Sequence, residues 1–208
     1  MNLQTINPFE EISKEYDQWF DENPFTFLSE LEAVKHFTPK EGKGIEIGIG
    51  TGRFAKELGI RFGIEPSESM AKYAKERGIE VSVGEAENMP YNNQTFDFAI
   101  MVVVDPFVKN IEKVYSEIYR ILKPDGKLVV GTLHKKGDVA KKYMSMTDNE
   151  VYRNAQFHTI EETMSQLKAS GFKTFQTCQT LTQIRPEMLE LPLPGHDKGS
   201  FVAIEAKK

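Results

Sequence analysis

The chain has 208 residues, of which 39% are hydrophobic and 27% are charged, and its formal net charge at pH 7 is −5. This composition is typical of one globular domain, and the acidic balance argues against a large nucleic-acid surface, since such surfaces are basic. No apolar run approaches the roughly 20 residues of a membrane span, and the first residues lack a signal-peptide pattern. The single cysteine, Cys178, excludes an internal disulfide and a cysteine-based metal cluster. We therefore expect a cytoplasmic protein with no membrane partner and no metal site.

Two amphipathic helices are predicted before the first strand. Apolar and aromatic residues recur at helical spacing over residues 8–20. Asn23-Pro24 then has the sequence of an N-cap followed by proline at the first position of a second helix, which ends before Pro39. Because these helices precede the sheet, they must pack on the later core or cover it. We expect residues 1–40 to form a helical lid.

Strands alternate with helices over the next part of the chain. The helices begin near Arg53 and after the predicted caps Ser67 and Asn110. Residues 96–104 form the longest apolar run, which is typical of a central strand buried on both faces. The alternation predicts an α/β fold with a mostly parallel sheet. Five strands are predicted here, at residues 45–48, 60–64, 79–83, 96–104 and 127–133, with a turn over residues 123–126 before the last of them.

The C-terminal part departs from this alternation. Residues 135–158 are polar and lysine-rich, and we expect them to form an insert or lid. Thr159-x-x-Glu162 is a capping box that opens a helix ending at Gly171. Residues 172–181 and 201–206 predict two last strands with only a proline-containing loop between them, so they should form an antiparallel edge. We expect residues 1–208 to be a single domain, with its cofactor-binding core at 41–134 and the C-terminal helix and strand pair at 159–208.

The stretch Gly44–Gly52 carries the first chemical signal. Gly48, Gly50 and Gly52 follow a β-branched strand where the chain turns into a helix, so that backbone N–H groups can approach a ligand closely. Glu46 is a carboxylate inside the apolar strand, and its burial costs about 1–3 kcal/mol unless it is hydrogen-bonded. We expect the turn to hold a small-molecule cofactor that Glu46 faces. The alternative is a partly exposed strand end at which Glu46 pairs with a lysine.

Two nucleotide cofactors fit this turn. Gly50-x-Gly52-x-x-Ala55 matches the dinucleotide pattern, and Glu65 stands where folds of this kind bind ribose hydroxyls. NAD and S-adenosylmethionine both carry that ribose. Glu46 favours S-adenosylmethionine, because a carboxylate repels a pyrophosphate and attracts the ammonium and sulfonium of the methionine portion. An NAD-dependent oxidoreductase remains the alternative.

Five ordered motifs extend this interpretation: Glu46-x-Gly48-x-Gly50-x-Gly52, Gly63-Ile-Glu65-Pro66-Ser67, Gly84-Glu85-Ala86-Glu87-x-Met89-Pro90-Tyr91, Phe96-Asp97 and Leu122-Lys-Pro-x-Gly126. Together they resemble the class I S-adenosylmethionine-dependent methyltransferases, in particular the small-molecule branch that includes the ubiquinone/menaquinone methyltransferases. The resemblance spans residues 9–171. It implies a Rossmann-like α/β fold with a seven-stranded, mostly parallel sheet, an antiparallel last strand and helices on both faces.

The resemblance also implies the cofactor contacts. Glu46 would orient the ammonium of S-adenosyl-L-methionine, and Glu65 would bind the ribose. Glu85 would meet the adenine amino group, and the backbone N–H of Ala86 would bond the adenine ring. S-adenosyl-L-homocysteine would be the product. The implied cofactor-binding residues are Glu46, Gly48, Gly50, Gly52, Glu65, Pro66, Glu85, Ala86 and Val102.

Three residues are candidates for the acceptor side. Asp105 ends the central strand and would orient an acceptor amine, or it is only a strand-ending turn residue before Pro106. Tyr16 would line the pocket with an aromatic face that favours a cation, or it belongs to a packing face of its helix. His134 follows the fifth strand and would act as a base, or it is a surface residue.

The predicted function is methyl transfer from S-adenosylmethionine to a small-molecule acceptor. Asp105 favours an amine as that acceptor. Such a transfer is an in-line displacement in which positioning supplies roughly 7–11 kcal/mol of barrier lowering. A non-catalytic S-adenosylmethionine-binding module and an RNA or protein methyltransferase are further alternatives. The motifs do not encode the acceptor or the oligomeric state.

Overall fold

The computed structural model describes residues 8–183, 185 and 187–208. Predictions that concern residues 1–7 and Pro186 lie outside the described residues. The helices are α1 (Pro8–Glu11), α2 (Ser13–Glu22), α3 (Pro24–Phe37), α4 (Arg53–Leu58), α5 (Glu68–Glu76), α6 (Ile111–Ile121), α7 (Asp138–Met144) and α8 (Ile160–Ala169). The strands are β1 (Gly44–Ile47), β2 (Phe62–Glu65), β3 (Glu80–Val83), β4 (Phe96–Val102), β5 (Leu122–Leu133), β6 (Thr174–Thr180), β7 (Leu193–Pro194) and β8 (Phe201–Lys207).

All eight strands form one sheet in the order β3-β2-β1-β4-β5-β8-β6-β7. The first five run parallel, and β8 is antiparallel to both β5 and β6. The predicted Rossmann-like α/β fold with an antiparallel C-terminal part is therefore confirmed. The predicted count of seven strands is wrong by one, because two residues of the proline-containing loop pair with β6 as β7.

Alternate residues of the central strands pack on two separate sides of the sheet. Ile45 and Ile47 belong to a core shared with Val114 of α6 and Leu167 of α8. Val34 of α3, together with residues of α4, belongs to the core on the other side. This period-two division fixes the side of the sheet that each polar residue at a strand end occupies.

Three of the four predicted helix caps are confirmed. The side chains of Ser67, Asn110 and Thr159 each accept a hydrogen bond from the backbone N–H three residues on. Thr159 also completes the predicted capping box. Asn23 occupies the N-cap position of α3, but its side-chain amide instead donates to the Trp19 carbonyl at the end of α2.

Two local predictions differ from the structure. The helix predicted over residues 8–20 is broken at Ile12, because Glu10 of α1 is drawn to the start of α5, where its carboxylate accepts bonds from Ser67 and Ser69. The turn predicted over residues 123–126 lies within β5. Phe96 pairs with Leu122 while Phe98 pairs with Lys127, so these four residues bulge out of the ladder.

Candidate functional site

The glycine turn connects β1 to α4 at the carboxyl edge of the sheet. Gly48 has φ +63°, and a Cβ atom there would lie 2.5 Å from a methyl group of Val104. Gly50 has φ +54°, and a Cβ atom there would lie 3.4 Å from the Tyr16 ring. The turn therefore requires glycine for its backbone and is covered by Tyr16 of α2.

Glu46 is 2% exposed, and its Oε2 atom accepts a 2.8 Å hydrogen bond from the Ala55 N–H of α4. Burial raises the pKa of this carboxyl well above its usual value, although the Ala55 bond opposes the shift. The alternative of an exposed strand end paired with a lysine is therefore wrong. The carboxyl group lies on the same side of the sheet as the core that contains Ala55.

Glu65 joins the second motif to the glycine turn. Its two carboxylate oxygens accept backbone hydrogen bonds of 2.9 Å from Gly50 and 3.0 Å from Ser67. Burial raises its pKa against the opposing effect of these two bonds. Each carboxylate oxygen has a further lone pair, so Glu65 can also accept bonds from ligand hydroxyls.

The other predicted cofactor residues are more widely spread. Glu85 turns outward and pairs with Lys109 at 2.8 Å, with 56% of its side chain exposed. Ala86 and Val102 are buried, in the cores on opposite sides of the sheet, and Pro66 is exposed. The contact of Glu85 with adenine stays a prediction, because a surface ion pair of this kind contributes only about 0–1 kcal/mol and can rearrange.

An ionic cluster holds α2 against α4 and α5. The Asp17 carboxylate accepts 2.9 Å hydrogen bonds from Arg53 and from Arg77, and Asp21 accepts bonds of 2.8 and 2.9 Å from Arg53. Burial acts to raise the pKa of Asp17, but these hydrogen bonds prevail and lower it. The cluster fixes the helix that carries Tyr16 over the glycine turn.

A chain of contacting aromatic rings from separate segments extends from Tyr16 at this turn, and we call these rings the aromatic rim: Phe9, Tyr16, Phe107, Tyr143 and Tyr152. Phe9 makes edge contacts with Tyr16 and with Phe107, at centroid distances of 6.2 and 5.0 Å. Phe107 lies 6.2 Å from Tyr152, which stacks on Tyr143 at 4.3 Å. The rim therefore joins the N-terminal helices, the segment after β4 and the predicted insert.

Glu30 of α3 lies beside this rim and was missed by the sequence analysis. It is 7% exposed, and its carboxyl group is not hydrogen-bonded or ion-paired to any described residue. Burial raises its pKa to about 8, and its charge contributes to the raised pKa values of Tyr16 and Tyr143. A signal was available, since Glu30 falls at helical spacing between Phe27 and Val34 on the apolar face of α3.

Asp105 lies on the opposite side of the sheet, with α6. Its Oδ2 atom accepts a 2.7 Å bond from Thr132, and its Oδ1 atom has no partner among the described residues. Burial raises the pKa of Asp105 to about 7. A cavity of about 210 Å³ borders it, lined by residues 108–112 together with Gln156, His158 and Gln166. Val103, at φ +51°, turns the chain just before Asp105.

His134 is buried just after β5, among a different set of charged groups. Burial lowers its pKa, and the charged groups that act on it are Glu161, Lys136, His196 and Lys141. The structure therefore does not bring the three acceptor-side candidates together. Only Tyr16 lies at the glycine turn.

A larger cavity, of about 510 Å³, lies at the opposite edge of the sheet, where it is lined by Lys43, Phe62 and Glu80. Ligands of open α/β sheets bind at the carboxyl ends of the strands, so we assign the cofactor site to the glycine turn rather than to this cavity. Within the described ranges, no three His, Cys, Asp or Glu side chains are grouped to hold a metal ion. No helix among the described residues has the length and apolar character needed to cross a membrane.

Comparison with known proteins identifies the family. A model described as a methyltransferase domain matches residues 45–130. The crystal structure of a SAM-dependent methyltransferase from Thermotoga maritima, described as a possible histamine N-methyltransferase, is 42% identical, covers 97% of this chain and 98% of that chain, and superposes with a TM-score of 0.93. An uncharacterized protein of Methanocaldococcus jannaschii is 38% identical over 205 residues, which are 98% of this chain and 100% of that protein.

A third relative was solved with ligands. Phosphoethanolamine N-methyltransferase 2 of Haemonchus contortus, in complex with phosphomonomethylethanolamine and S-adenosylhomocysteine, is 25% identical over 71% of this chain and 37% of that chain, with a TM-score of 0.57. The residues of the glycine turn fit such a cofactor, because two buried carboxyl groups, Glu46 and Glu65, suit its cationic centres and its ribose hydroxyls. This chain belongs to the S-adenosylmethionine-dependent methyltransferases.

Proposed function

We propose that this methyltransferase acts on a small-molecule amine, held in the crevice between the glycine turn and the aromatic rim. The observation that carries the proposal is the grouping of three buried carboxyl groups around one aromatic ring: Glu30, Glu46 and Glu65 all act electrostatically on Tyr16, whose ring covers Gly50. Aromatic faces attract ammonium and sulfonium groups by about 0.5–2 kcal/mol, and a carboxylate adds to that attraction.

The cofactor half of the crevice is assigned to the residues of the turn. Bound S-adenosylmethionine supplies a methyl group activated by its sulfonium. Glu65 accepts the ribose hydroxyls while its bond from Gly50 fixes the turn. Glu46 orients the ammonium, and its bond from Ala55 keeps the carboxyl group in place. Tyr16 excludes water from above Gly50. The proposed cofactor-binding set is completed by six further residues: Gly48, Gly52, Pro66, Glu85, Ala86 and Val102.

Neither Asp105 nor His134 is assigned a direct contact with the acceptor in this proposal. The bond from Thr132 to Asp105 ties the end of β4 to β5, so Asp105 shapes the crevice from behind the sheet. His134 is given no contact with the acceptor, because no contact joins it to the residues of the glycine turn among the described residues. Membership of the ubiquinone/menaquinone branch stays a prediction from the motifs.

Two relatives support the choice of an amine. The Thermotoga maritima protein is described as a possible histamine N-methyltransferase, and the Haemonchus contortus protein as a phosphoethanolamine N-methyltransferase. Both descriptions name acceptors with a basic nitrogen. The two acceptors share no other polar group, so the amine is the chemistry that we transfer to this chain.

The test is a methyl-transfer assay with labelled S-adenosylmethionine against three pools of small molecules, namely amines, alcohols and carboxylic acids. We expect labelled product from the amine pool. Transfer only to alcohols or acids would contradict the amine assignment, and tight cofactor binding without transfer to any pool would contradict a small-molecule acceptor. Purified RNA and a protein lysate serve as further acceptors in the same assay.

A further inference from the structure

We infer that Glu30 binds the acceptor nitrogen and removes the proton that blocks its methylation, which makes basic alkylamines the preferred acceptors. This inference rests on the proposed function and assigns its general base. It begins from the position of Glu30 on the apolar face of α3, in line with Phe27 and Val34. Nothing in the packing of a helix on a sheet requires a carboxyl group there.

Glu30 differs in its hydrogen bonding from Glu46 and Glu65, the other two carboxyl groups that act on Tyr16. Glu46 and Glu65 each accept backbone hydrogen bonds, whereas Glu30 accepts none from the described residues. A carboxyl group that is 7% exposed and makes no hydrogen bond within the described residues keeps its acceptor capacity for a ligand that supplies the donor.

The groups around Glu30 are themselves weak acids. Tyr16 of α2 and Tyr143 of α7 lie within electrostatic range of Glu30, and both phenols have raised pKa values, chiefly because they are buried. From β6, Cys178 packs against Ala33 of the same helix and also has a raised pKa, of about 12. All three keep their protons at neutral pH, so Glu30 is the group among these neighbours that can accept one.

The chemistry requires such a group. An alkylamine at neutral pH is an ammonium ion whose nitrogen has no free electron pair. The proton passes from the ammonium N–H to the Glu30 carboxylate, which leaves a neutral amine and a carboxylic acid. The nitrogen pair then forms a bond to the methyl carbon, the carbon–sulfur bond breaks, and its electron pair stays on sulfur. The methylated product is an ammonium ion again, and the proton on Glu30 passes to solvent.

The pKa of Glu30 agrees with its role as the base that accepts the ammonium proton. Its pKa of about 8 in the protein without acceptor lies near the operating pH, where a general base is most effective. At pH 7 the group is mostly protonated, so binding of an ammonium ion should release close to one proton to solvent. Burial raises this pKa. The other charged groups that act on Tyr16, the phenol near Glu30, are Glu46 of β1 and Glu65 of β2.

The test uses the whole chain loaded with S-adenosylhomocysteine and three aromatic probes: phenethylamine, phenethyl alcohol, which differs from it only in the terminal group, and weakly basic aniline. Calorimetric titration in two buffers of different ionisation enthalpy measures both affinity and proton release. We expect at least tenfold tighter binding of phenethylamine than of phenethyl alcohol, with release of about one proton at pH 7. The Glu30→Gln variant should lose both the preference and the proton release.

Glu32→Gln is the matched control, because Glu32 lies on the same helix and pairs with Lys35 at the surface. It should behave as the wild type. In methyl transfer, Glu30→Gln should lower kcat/KM for phenethylamine by 10²–10⁴-fold and for weakly basic aniline by less than tenfold. Glu30→Asp should keep the alkaline rise of the wild-type pH profile at a lower rate.

Three results would overturn the inference: unchanged phenethylamine binding in Glu30→Gln, equal loss of rate for both amines, or no binding of phenethylamine to the wild type. Wild-type transfer to amines that is insensitive to Glu30 would refute the base and leave the proposed function intact. Glu30-dependent amine binding with transfer only to alcohols would refute the proposed amine acceptor and the role of Glu30 as its base, and would leave Glu30 as an ammonium-binding group alone.

Discussion

The two sides of the sheet each carry a buried acid, and the two acids differ in their surroundings. On the α6 side, Asp105 has a hydrogen-bond donor in Thr132 and a pKa of about 7. On the glycine-turn side, Glu30 has no described partner and a pKa of about 8. Both acids are buried, so burial does not separate structure from function. What separates them is the surroundings, since Glu30 acts on Tyr16, which covers the glycine turn, whereas Asp105 borders the cavity on the α6 side.

The largest effect expected from this comparison is on stability as a function of pH. The pKa of Glu30 is raised in the folded state, so the folded protein keeps the proton where the unfolded chain has lost it. Stability is therefore full below about pH 4.5 and falls as the pH rises towards 8. Relative to wild type, Glu30→Gln should gain as much as about 4 kcal/mol over that window, because each pKa unit is worth about 1.4 kcal/mol.

Denaturant unfolding at pH 4.5, 7 and 8.5 measures this gain. Asp105→Asn is the contrasting variant, and its gain should level off at a lower pH than that of Glu30→Gln, because the Asp105 carboxyl titrates at about 7. If the stability gains of the two variants followed the same dependence on pH above pH 7, the two acids would not differ in their titration. Gain of stability in Glu30→Gln together with loss of amine binding would mark Glu30 as a residue kept for function at the expense of stability.

The next effect is on cofactor affinity. Glu65→Ala should weaken binding of S-adenosylhomocysteine by about 1–3 kcal/mol, since it removes a buried hydrogen-bonded carboxyl group and releases the Gly50 N–H. Calorimetric titration measures the change. Asp105→Asn, on the other side of the sheet, should bind the cofactor within twofold of wild type. Unchanged affinity in Glu65→Ala would take Glu65 out of the site.

The smallest effect concerns the lid. Asp17→Asn should weaken the ionic cluster that Arg53 and Arg77 make with α2, at a cost of roughly 0.5–1.5 kcal/mol. We expect faster hydrogen exchange in α2 and faster dissociation of S-adenosylhomocysteine. The matched variant is Asp21→Asn, whose side chain is 69% exposed and which should change little. Equal effects in both variants would show that the lid responds to net charge alone.

Much of the cofactor side could be predicted from the sequence. Gly50 and Glu65 stand at fixed spacings from strand ends, and those spacings impose the hydrogen bond that joins them. The caps at Ser67 and Asn110 were equally local and equally predictable. Glu46 was predicted as a buried carboxylate in need of a hydrogen bond, and the donor is the Ala55 N–H, nine residues on.

The acceptor side could not be predicted in the same way. The direction of Asp105 depends on the positive φ of Val103, which no sequence pattern signals for a β-branched residue. Glu30 meets Tyr143 only through packing between segments more than a hundred residues apart. The two-residue strand β7 likewise depends on tertiary pairing with β6 rather than on any apolar run.

The most direct test of the central claim is a crystal structure of the protein with S-adenosylhomocysteine and phenethylamine. We expect the amine nitrogen to lie at hydrogen-bond distance, about 2.7–3.2 Å, from the Glu30 carboxyl group, with its ring against the aromatic rim. An amine bound instead in the cavity beside Asp105 and His158, with Glu30 still unpartnered, would contradict it.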